Sequence, residues 1–326
     1  MSEVGDLLAA RIAAEGPIGV DEYMAAANSH YYATRDPLGV SGDFITAPEI
    51  HQMFGEMLGA VLADCWVRAG RPVDAVYAEL GPGRGTLAND ALSVLRRAGF
   101  TGEVHLVETS PALKRAQAKL LPEANFHDEI DSLPKAPLLL VANEFFDALP
   151  VKQWVGDEER RVIHDGTAFA FTIYGLIRET SPARDEAAQT LAKRLAAYGG
   201  VAIVIDYGHS KGEQGDTLQA VRDHRFSNPL DEPGEQDITS HVDFAALSEA
   251  ARCGGATVSR IASQGAWLET LGIGARAMAL AAKNPQDTER IAAARRRLCD
   301  EAEMGRLFKV MAMRAPVWPE IAGLEA

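Results

Sequence analysis

The sequence predicts an α/β fold: a doubly wound, Rossmann-like, mainly parallel sheet with an N-terminal helical cap and α/β insertions. Three observations carry this. Short, mostly apolar runs at 75–80, 103–107, 138–142 and 201–207 have the composition of strands buried on both faces. Helical patterns lie between some of them, which is the β-α-β-α rhythm of a parallel sheet. A glycine-rich turn, Gly81-Pro82-Gly83-Arg84-Gly85, joins the first run to a helix.

Composition sets the outer bounds. The chain has 326 residues, 47% apolar and 24% charged, which excludes wholesale disorder and allows two domains or one enlarged α/β domain. A chain of about 300 residues buries roughly three quarters of its unfolded surface and needs no staples. Cys65, Cys253 and Cys299 are scattered, without a C-x-x-C, as suits a reducing compartment. None of the eight histidines has a ligand spacing, so no metal is expected. The 32 Lys+Arg against 46 Asp+Glu give a net charge of −14, which argues against a nucleic-acid partner. The brief run Arg295-Arg296-Arg297 reads as a solvated helix face. No apolar run reaches the ~18 residues of a membrane span. The N-terminus lacks a secretory apolar region, and Glu3, Asp6 and Glu15 argue against an Arg-rich transit peptide, so a cytoplasmic location is expected.

The elements follow in order. Residues 1–72 read as the helical cap. In it, Thr46-Ala47-Pro48-Glu49 has the form of a capping box with Pro in the first turn. Ile50, Met53, Phe54, Met57, Leu58, Val61, Leu62, Cys65 and Trp66 then form one helical stripe, ended by Gly70. Residues 73–326 form the core, with helices predicted at 86–98 and at 111–120, the latter with Ser110 as N-cap and Pro111 at N1. Around 151–175 the turn signals Gly156-Asp157 and Asp165-Gly166 predict an antiparallel β-hairpin insertion. A helix at 187–198, a helical insertion around 264–303 and a last strand at 307–313 complete the chain.

The segment Glu79-Leu80-Gly81-Pro82-Gly83-Arg84-Gly85-Thr86 carries most of the chemical information. Glycines let the backbone turn sharply and let a ligand approach without meeting a Cβ, and the helix that follows offers free N–H groups. A nucleoside triphosphate loop would read G-x-x-x-x-G-K-[ST], which is absent. A dinucleotide loop would read G-x-G-x-x-G, but its third glycine falls one residue early, at Gly85 instead of Thr86. The pattern acidic-x-G-x-G-x-G instead resembles the first motif of class I S-adenosylmethionine-dependent methyltransferases. The next strand ends at Val107-Glu108, where a carboxylate can accept from two ribose hydroxyls. Asp128 follows a further strand-like run and is a candidate acceptor for an adenine amino group. Each acid also has a plainer reading as a solvated strand end.

Longer strings are Gly42-Asp43-Phe44-Ile45-Thr46-Ala47-Pro48-Glu49-Ile50 with Gln52 and Phe54-Gly55-Glu56, then 79–86 and Asn143-Glu144-Phe145-Phe146-Asp147-Ala148-Leu149-Pro150. Ile205-Asp206-Tyr207-Gly208, Asn228-Pro229-Leu230, 233–239, His241-Val242-Asp243-Phe244 and Phe308-Lys309-Val310 follow toward the C-terminus. Together they resemble the MidA family, the bacterial and mitochondrial relatives of the complex I assembly methyltransferase. One departure is the shortened approach to the Tyr31-Tyr32 pair. The resemblance implies a class I methyltransferase fold, S-adenosyl-L-methionine as cofactor, and a protein arginine substrate, a complex I subunit or a related partner.

A guanidinium nucleophile stays protonated at ordinary pH and offers only donors. Carboxylates can grip it and aim one nitrogen. Glu144 and Asp147, just past the fourth core strand, are the candidates, with Asp206 after the next strand. The expected cofactor residues are Glu79, Gly81, Pro82, Gly83, Gly85, Thr86, Glu108, Thr109, Asp128 and Asn143, with Thr46 and Glu49 from a helix that the resemblance places over the cofactor. Asn143, Glu144 and Asp147 also read as simple helix caps. His241, in a loop suited to a lid, reads equally as part of a helix start. Two rival functions stay open: a cofactor-binding assembly factor that acts by gripping its partner, and an NAD-dependent oxidoreductase.

Overall fold

The apolar runs of the sequence lie side by side in one twisted sheet, and everything else is arranged around it. The computed structural model describes residues 2–34, 46–222 and 225–325. Gly42, Asp43, Phe44 and Ile45, part of the family-like signature, lie outside the described residues.

The chain begins with α1 (Glu3–Glu15), β1 (Ile18–Gly19), α2 (Val20–Thr34), α3 (Ala47–Ile50) and α4 (Met53–Arg68). The first half of the core follows as β2 (Val76–Leu80), α5 (Thr86–Arg97), β3 (Val104–Val107), α6 (Pro111–Leu120), β4 (Asn125–His127) and β5 (Leu138–Asn143). Four short strands come next, β6 (Lys152–Val155), β7 (Glu158–His164), β8 (Phe169–Phe171) and β9 (Ile177–Thr180), and then α7 (Pro182–Tyr198) and β10 (Gly200–His209). Beyond them lie β11 (Gln219–Arg222), β12 (Arg225–Ser227), β13 (Asp237–Thr239), β14 (Val242–Asp243) and α8 (Phe244–Cys253). The chain closes with β15 (Thr257–Val258), β16 (Ala262–Ser263), α9 (Gln264–Thr270), α10 (Ile273–Lys283), α11 (Thr288–Cys299), α12 (Met304–Leu307) and β17 (Phe308–Arg314).

The large sheet has the order β15-β17-β10-β5-β2-β3-β4, and β17 is antiparallel to β10 while β10, β5, β2, β3 and β4 run parallel. The order reverses between β2 and β5, so the crevice for a ligand opens at the carboxyl ends of those two strands. One face of the sheet packs against α4, α5, α9, α10 and α11, and the other against α7 and α8. The α4–α5 contact needs glycine: a Cβ on Gly59 would lie 2.7 Å from the Ala91 Cα. Among the described residues, no helix is long and apolar enough to cross a membrane.

The first 72 residues divide between two cores. α4 belongs to the large sheet, whereas α1 and α2 pack with Val151, Val162, Ala220 and Ile238 on smaller sheets. One of these has the order β1-β7-β6-β9, with β8 on β7, and it includes β9, which the turn signals did not reveal. The Gly156-Asp157 turn is the two-residue connection between Val155 and Glu158, with Gly156 at φ +60°.

Three local expectations need correction. The capping box does not form, because the Thr46 side chain caps nothing and Glu49 accepts from the Thr86 hydroxyl instead. The long helical stripe is broken, since His51 is extended at φ −169°, ψ 143° and separates α3 from α4. His241 does not start a helix. Asp243 caps α8, accepting from the backbone N–H of Ala245 at 2.9 Å and of Ala246 at 3.2 Å.

Candidate active site

The β2–α5 turn and the β5 loop meet at the sheet's switch point. Gly81, Gly83 and Gly85 all have positive φ, +61°, +55° and +84°, a conformation that other residues rarely adopt. The Gly85 N–H donates to the Pro82 carbonyl at 2.8 Å and closes the turn. A Cβ on Gly81 would lie 3.2 Å from Phe145 Cδ2, so the two loops are in direct contact. Glu79 is buried within β2, accepts from the Tyr77 hydroxyl at 2.6 Å, and is pushed up to about 8 by burial.

Glu108 is buried at the end of β3. It accepts from Ser110 N–H at 2.8 Å and from the Gln117 amide at 3.3 Å, and burial raises its pKa against these bonds. The same Gln117 amide donates to the Gly83 carbonyl at 2.6 Å, which ties Glu108 to the glycine turn. The Gln117 Oε1 is buried without a hydrogen-bond partner. Thr109 is exposed. Asp128, past β4, is exposed and pairs with Lys114 at 2.6 Å.

α3 straps across both loops. The Thr86 hydroxyl donates to Glu49 at 2.6 Å, and Ala47 N–H donates to Glu144 Oε1 at 3.3 Å. Thr46 sits beside this strap, half-buried. Asn143 Nδ2 donates to Glu144 Oε1 at 3.1 Å, whereas Asn143 Oδ1 is buried and unpartnered. Glu144 itself adopts φ +51°, an uncommon backbone for a non-glycine residue and a frequent mark of functional loops.

The acids of this loop crowd together. Burial, followed by the charge of Asp147, pushes Glu144 up to about 8. Burial also raises Asp147, against the pull of a Tyr207 hydrogen bond and the Arg184 charge; its Oδ1 is buried and unpartnered. Asp206 is fully buried and raised well above the usual carboxylate range by burial and by Asp147 and Glu144. Its carboxylate turns inward, accepting from Phe146 N–H at 3.0 Å, Asp147 N–H at 3.1 Å and Tyr207 N–H at 2.9 Å. α2 reaches the same region: the Tyr32 hydroxyl donates to Asp237 at 2.7 Å, and Asn28 Nδ2 donates to the carbonyls of Ile238 at 2.7 Å and Ala148 at 3.2 Å. The His241 ring stands edge-on to Tyr207 with centroids 5.7 Å apart, and burial lowers its pKa.

The structure therefore brings Glu79, Gly81, Pro82, Gly83, Gly85, Thr86, Glu108, Asn143, Glu144, Asp147, Asp206 and Glu49 together toward the carboxyl ends of β2, β3, β5 and β10. Thr109 and Asp128 are exposed, just past the ends of β3 and β4. Sequence reasoning missed Gln117, Arg184 and Tyr207. Gln117 and Arg184 had a signal: each is a polar residue in the apolar stripe of its helix, Leu113-Gln117 and Arg184-Ala188-Leu191-Leu195.

Known proteins share this fold and its family. A model of a family of S-adenosyl-L-methionine-dependent methyltransferases matches residues 57–173 and 167–262. The Drosophila melanogaster protein arginine methyltransferase NDUFAF7 homolog, mitochondrial, is 36% identical, over 94% of this chain and 83% of the relative. The Homo sapiens protein arginine methyltransferase NDUFAF7, mitochondrial, is 32% identical, over 93% of this chain and 81% of its own. A Burkholderia thailandensis crystal structure with S-adenosyl-homocysteine bound superposes with a TM-score of 0.85 at 27% identity, over 98% of this chain and 94% of that one. The mitochondrial names overturn the cytoplasmic expectation. Composition and net charge bear on folding class and on partners, and they do not encode the compartment in which an enzyme works.

Proposed function

Because the chain belongs to the family of S-adenosyl-L-methionine-dependent methyltransferases, we propose that it methylates an arginine of a protein substrate, gripped by Glu144 and Asp147. The arginine comes from the names of the relatives, and a complex I subunit or a related partner from the family resemblance. One observation carries the reading: the partly buried Glu144 and the buried Asp147, the latter with an orphaned oxygen, stand just past β5 in a loop whose Phe145 touches the glycine turn.

The crevice suits the cofactor. Three positive-φ glycines leave room at the turn, Glu108 offers acceptors for ribose hydroxyls, and the orphaned Gln117 Oε1 and Asn143 Oδ1 await donors. Bound there, S-adenosylmethionine supplies an electrophilic methyl group on a sulfonium. The task left to the protein is to position the acceptor and take away one proton. Glu144 and Asp147, held in part as neutral acids by burial, ionise as the guanidinium settles against them. In fork geometry they would localise its charge on one side and aim a nitrogen toward the glycine turn, where the cofactor would be held. That nitrogen gains a methyl and must lose a proton, for which the adjacent carboxylate is the acceptor. Thr46, Glu49 and α3 cover the turn, and Asp128 and Thr109 edge the adenine end of the crevice.

A labelled-methyl assay on lysate of the source organism, followed by mass spectrometry of the labelled protein, tests the proposal. Glu144→Gln and Asp147→Asn should each lose about a hundredfold or more in methyl transfer while still binding S-adenosylmethionine. Methyl label on a residue other than arginine would sink the substrate assignment. Partner capture without any methylation would favour the assembly-factor role.

A further inference from the structure

Arg184 is a buried cation for which the reaction described above has no use. Its donors all go to loop oxygens: Nε to the Phe146 carbonyl at 2.7 Å, Nη1 to the His241 carbonyl at 2.7 Å, and Nη2 to the Asp147 carbonyl at 3.1 Å, the Ser240 carbonyl at 3.0 Å and the Ser240 hydroxyl at 2.7 Å. Asp206 takes the N–H groups of the same Phe146 and Asp147 at 3.0 and 3.1 Å. The peptide between Phe146 and Asp147 is thus held by an anion at its N–H and by a cation at its C=O, while Asp206 also holds the peptide before it and Arg184 the peptide after it. Ser240 N–H adds a bond to the Asp147 carbonyl at 3.1 Å, so the β5 loop and the 240–241 loop share one anchor.

We propose that Arg184 is a positioning residue for methyl transfer, which with Asp206 clamps the backbone on either side of Phe146 and Asp147 and so fixes the Asp147 carboxyl toward the substrate. The inference rests on the reading that Glu144 and Asp147 hold the acceptor arginine. A guanidinium is suited to this place because its planar fork reaches several carbonyls at once, which an ammonium cannot do. A burial this complete without a direct carboxylate partner is costly unless every donor is satisfied. The charge also acts at a distance. Asp147 is faced by Tyr207 and Asp206 from β10, Arg184 from α7, Tyr32 from α2 and Glu144 from its own loop, and Arg184 is the cation of this group. Glu179 on β9 faces Arg184 in turn.

The test uses the full chain with Arg184→Lys and Arg184→Met. Both variants should bind S-adenosylhomocysteine nearly as the native protein does. Arg184→Lys keeps the charge and loses the fork. Its kcat should fall on the order of ten- to a hundredfold with the KM for the cofactor little changed. Arg184→Met should in addition move the acid limb of the pH profile upward by about one unit, since an ionised Asp147 loses its cation. Carbon NMR titration of the Asp147 carboxyl should show the same upward move and needs no substrate. Folded variants with native kcat, native pH limb and native Asp147 titration would overturn the proposal. Should Arg184→Met fail to fold, Ser240→Ala removes one bond of the anchor; native kcat there, with native kcat in Arg184→Lys, would overturn it equally. If the native protein itself methylates no arginine, the functional reading fails, and the NMR titration still decides the role of Arg184.

Discussion

Glu108→Ala should weaken S-adenosylmethionine binding by about 1.5–3 kcal/mol, or about 10- to 150-fold. The figure follows from the geometry at the end of β3. Glu108 is 8% exposed, and one carboxylate oxygen accepts from Ser110 N–H at 2.8 Å while the other accepts from Gln117 at 3.3 Å. Each oxygen keeps acceptor capacity toward the crevice, enough for two ribose hydroxyls. Two charge-assisted bonds form there, but both hydroxyls leave water, so the net gain is close to that of one bond to a charged group. The substitution also strands the Ser110 N–H and the Gln117 amide, which should lower stability by about 1–3 kcal/mol. Affinity must therefore be measured by calorimetry well below the variant's melting temperature, with Glu108→Gln as the control that keeps the shape and one acceptor oxygen. Burial raises the pKa of Glu108, so native affinity should fall on acidification sooner than an ordinary carboxylate would dictate, and this dependence should vanish in Glu108→Ala. A folded Glu108→Ala that binds S-adenosylmethionine like the native protein would refute the ribose assignment.

Other expectations concern stability and the strap over the site. Glu79 and Glu144 are both raised to about 8, above their unfolded value, so the stability they contribute is complete below that value and is lost as pH rises toward 8. Denaturant titrations should show Glu79→Gln and Glu144→Gln flattening this decline by up to about 1.4 kcal/mol per pH unit each; slopes parallel to the native one would refute the assignment. For the same reason the KM for a cationic acceptor should drop as pH approaches 8, and a flat profile would count against Glu144 as its anion. Gly59→Ala places a methyl group 2.7 Å from the Ala91 Cα and should destabilise the fold by about 1–3 kcal/mol; an unchanged melting temperature would contradict the close α4–α5 approach. Thr86→Val removes the 2.6 Å bond that holds α3 over the glycine turn, so S-adenosylhomocysteine should dissociate about fivefold faster in stopped-flow measurements. An unchanged rate would mean that α3 does not retain the cofactor.

The parts of this protein that depend on local chemistry could be read from the sequence. Apolar runs, turn glycines and the Ser110-Pro111 start of α6 point to strands, a ligand-facing turn and a helix, because burial on two faces, positive φ and an unsatisfied first turn each demand particular residues. Position 79–86 and the acid at 108 could likewise be placed at strand ends by counting. The capping box at 46–49 failed for a tertiary reason: Thr86, distant in sequence, offers Glu49 a better donor than its own helix does. The break at His51 has the same origin, since α3 is held to Glu144 and Thr86 while α4 follows the α5 groove.

What only the folded chain decided is which polar groups share a space. Glu144, Asp147 and Asp206 are spread over 63 positions of sequence, and their common burial pushes all three toward the neutral acid. Arg184 and Gln117 carry no motif; their meaning comes from carbonyls and carboxylates that other segments bring within hydrogen-bonding distance. A sequence specifies strands, turns and helix ends through interactions a few residues long. The protonation and aim of a buried side chain depend on desolvation and on charges contributed by the whole fold, and these exist only once the sheet, the strap and the second loop have closed around it.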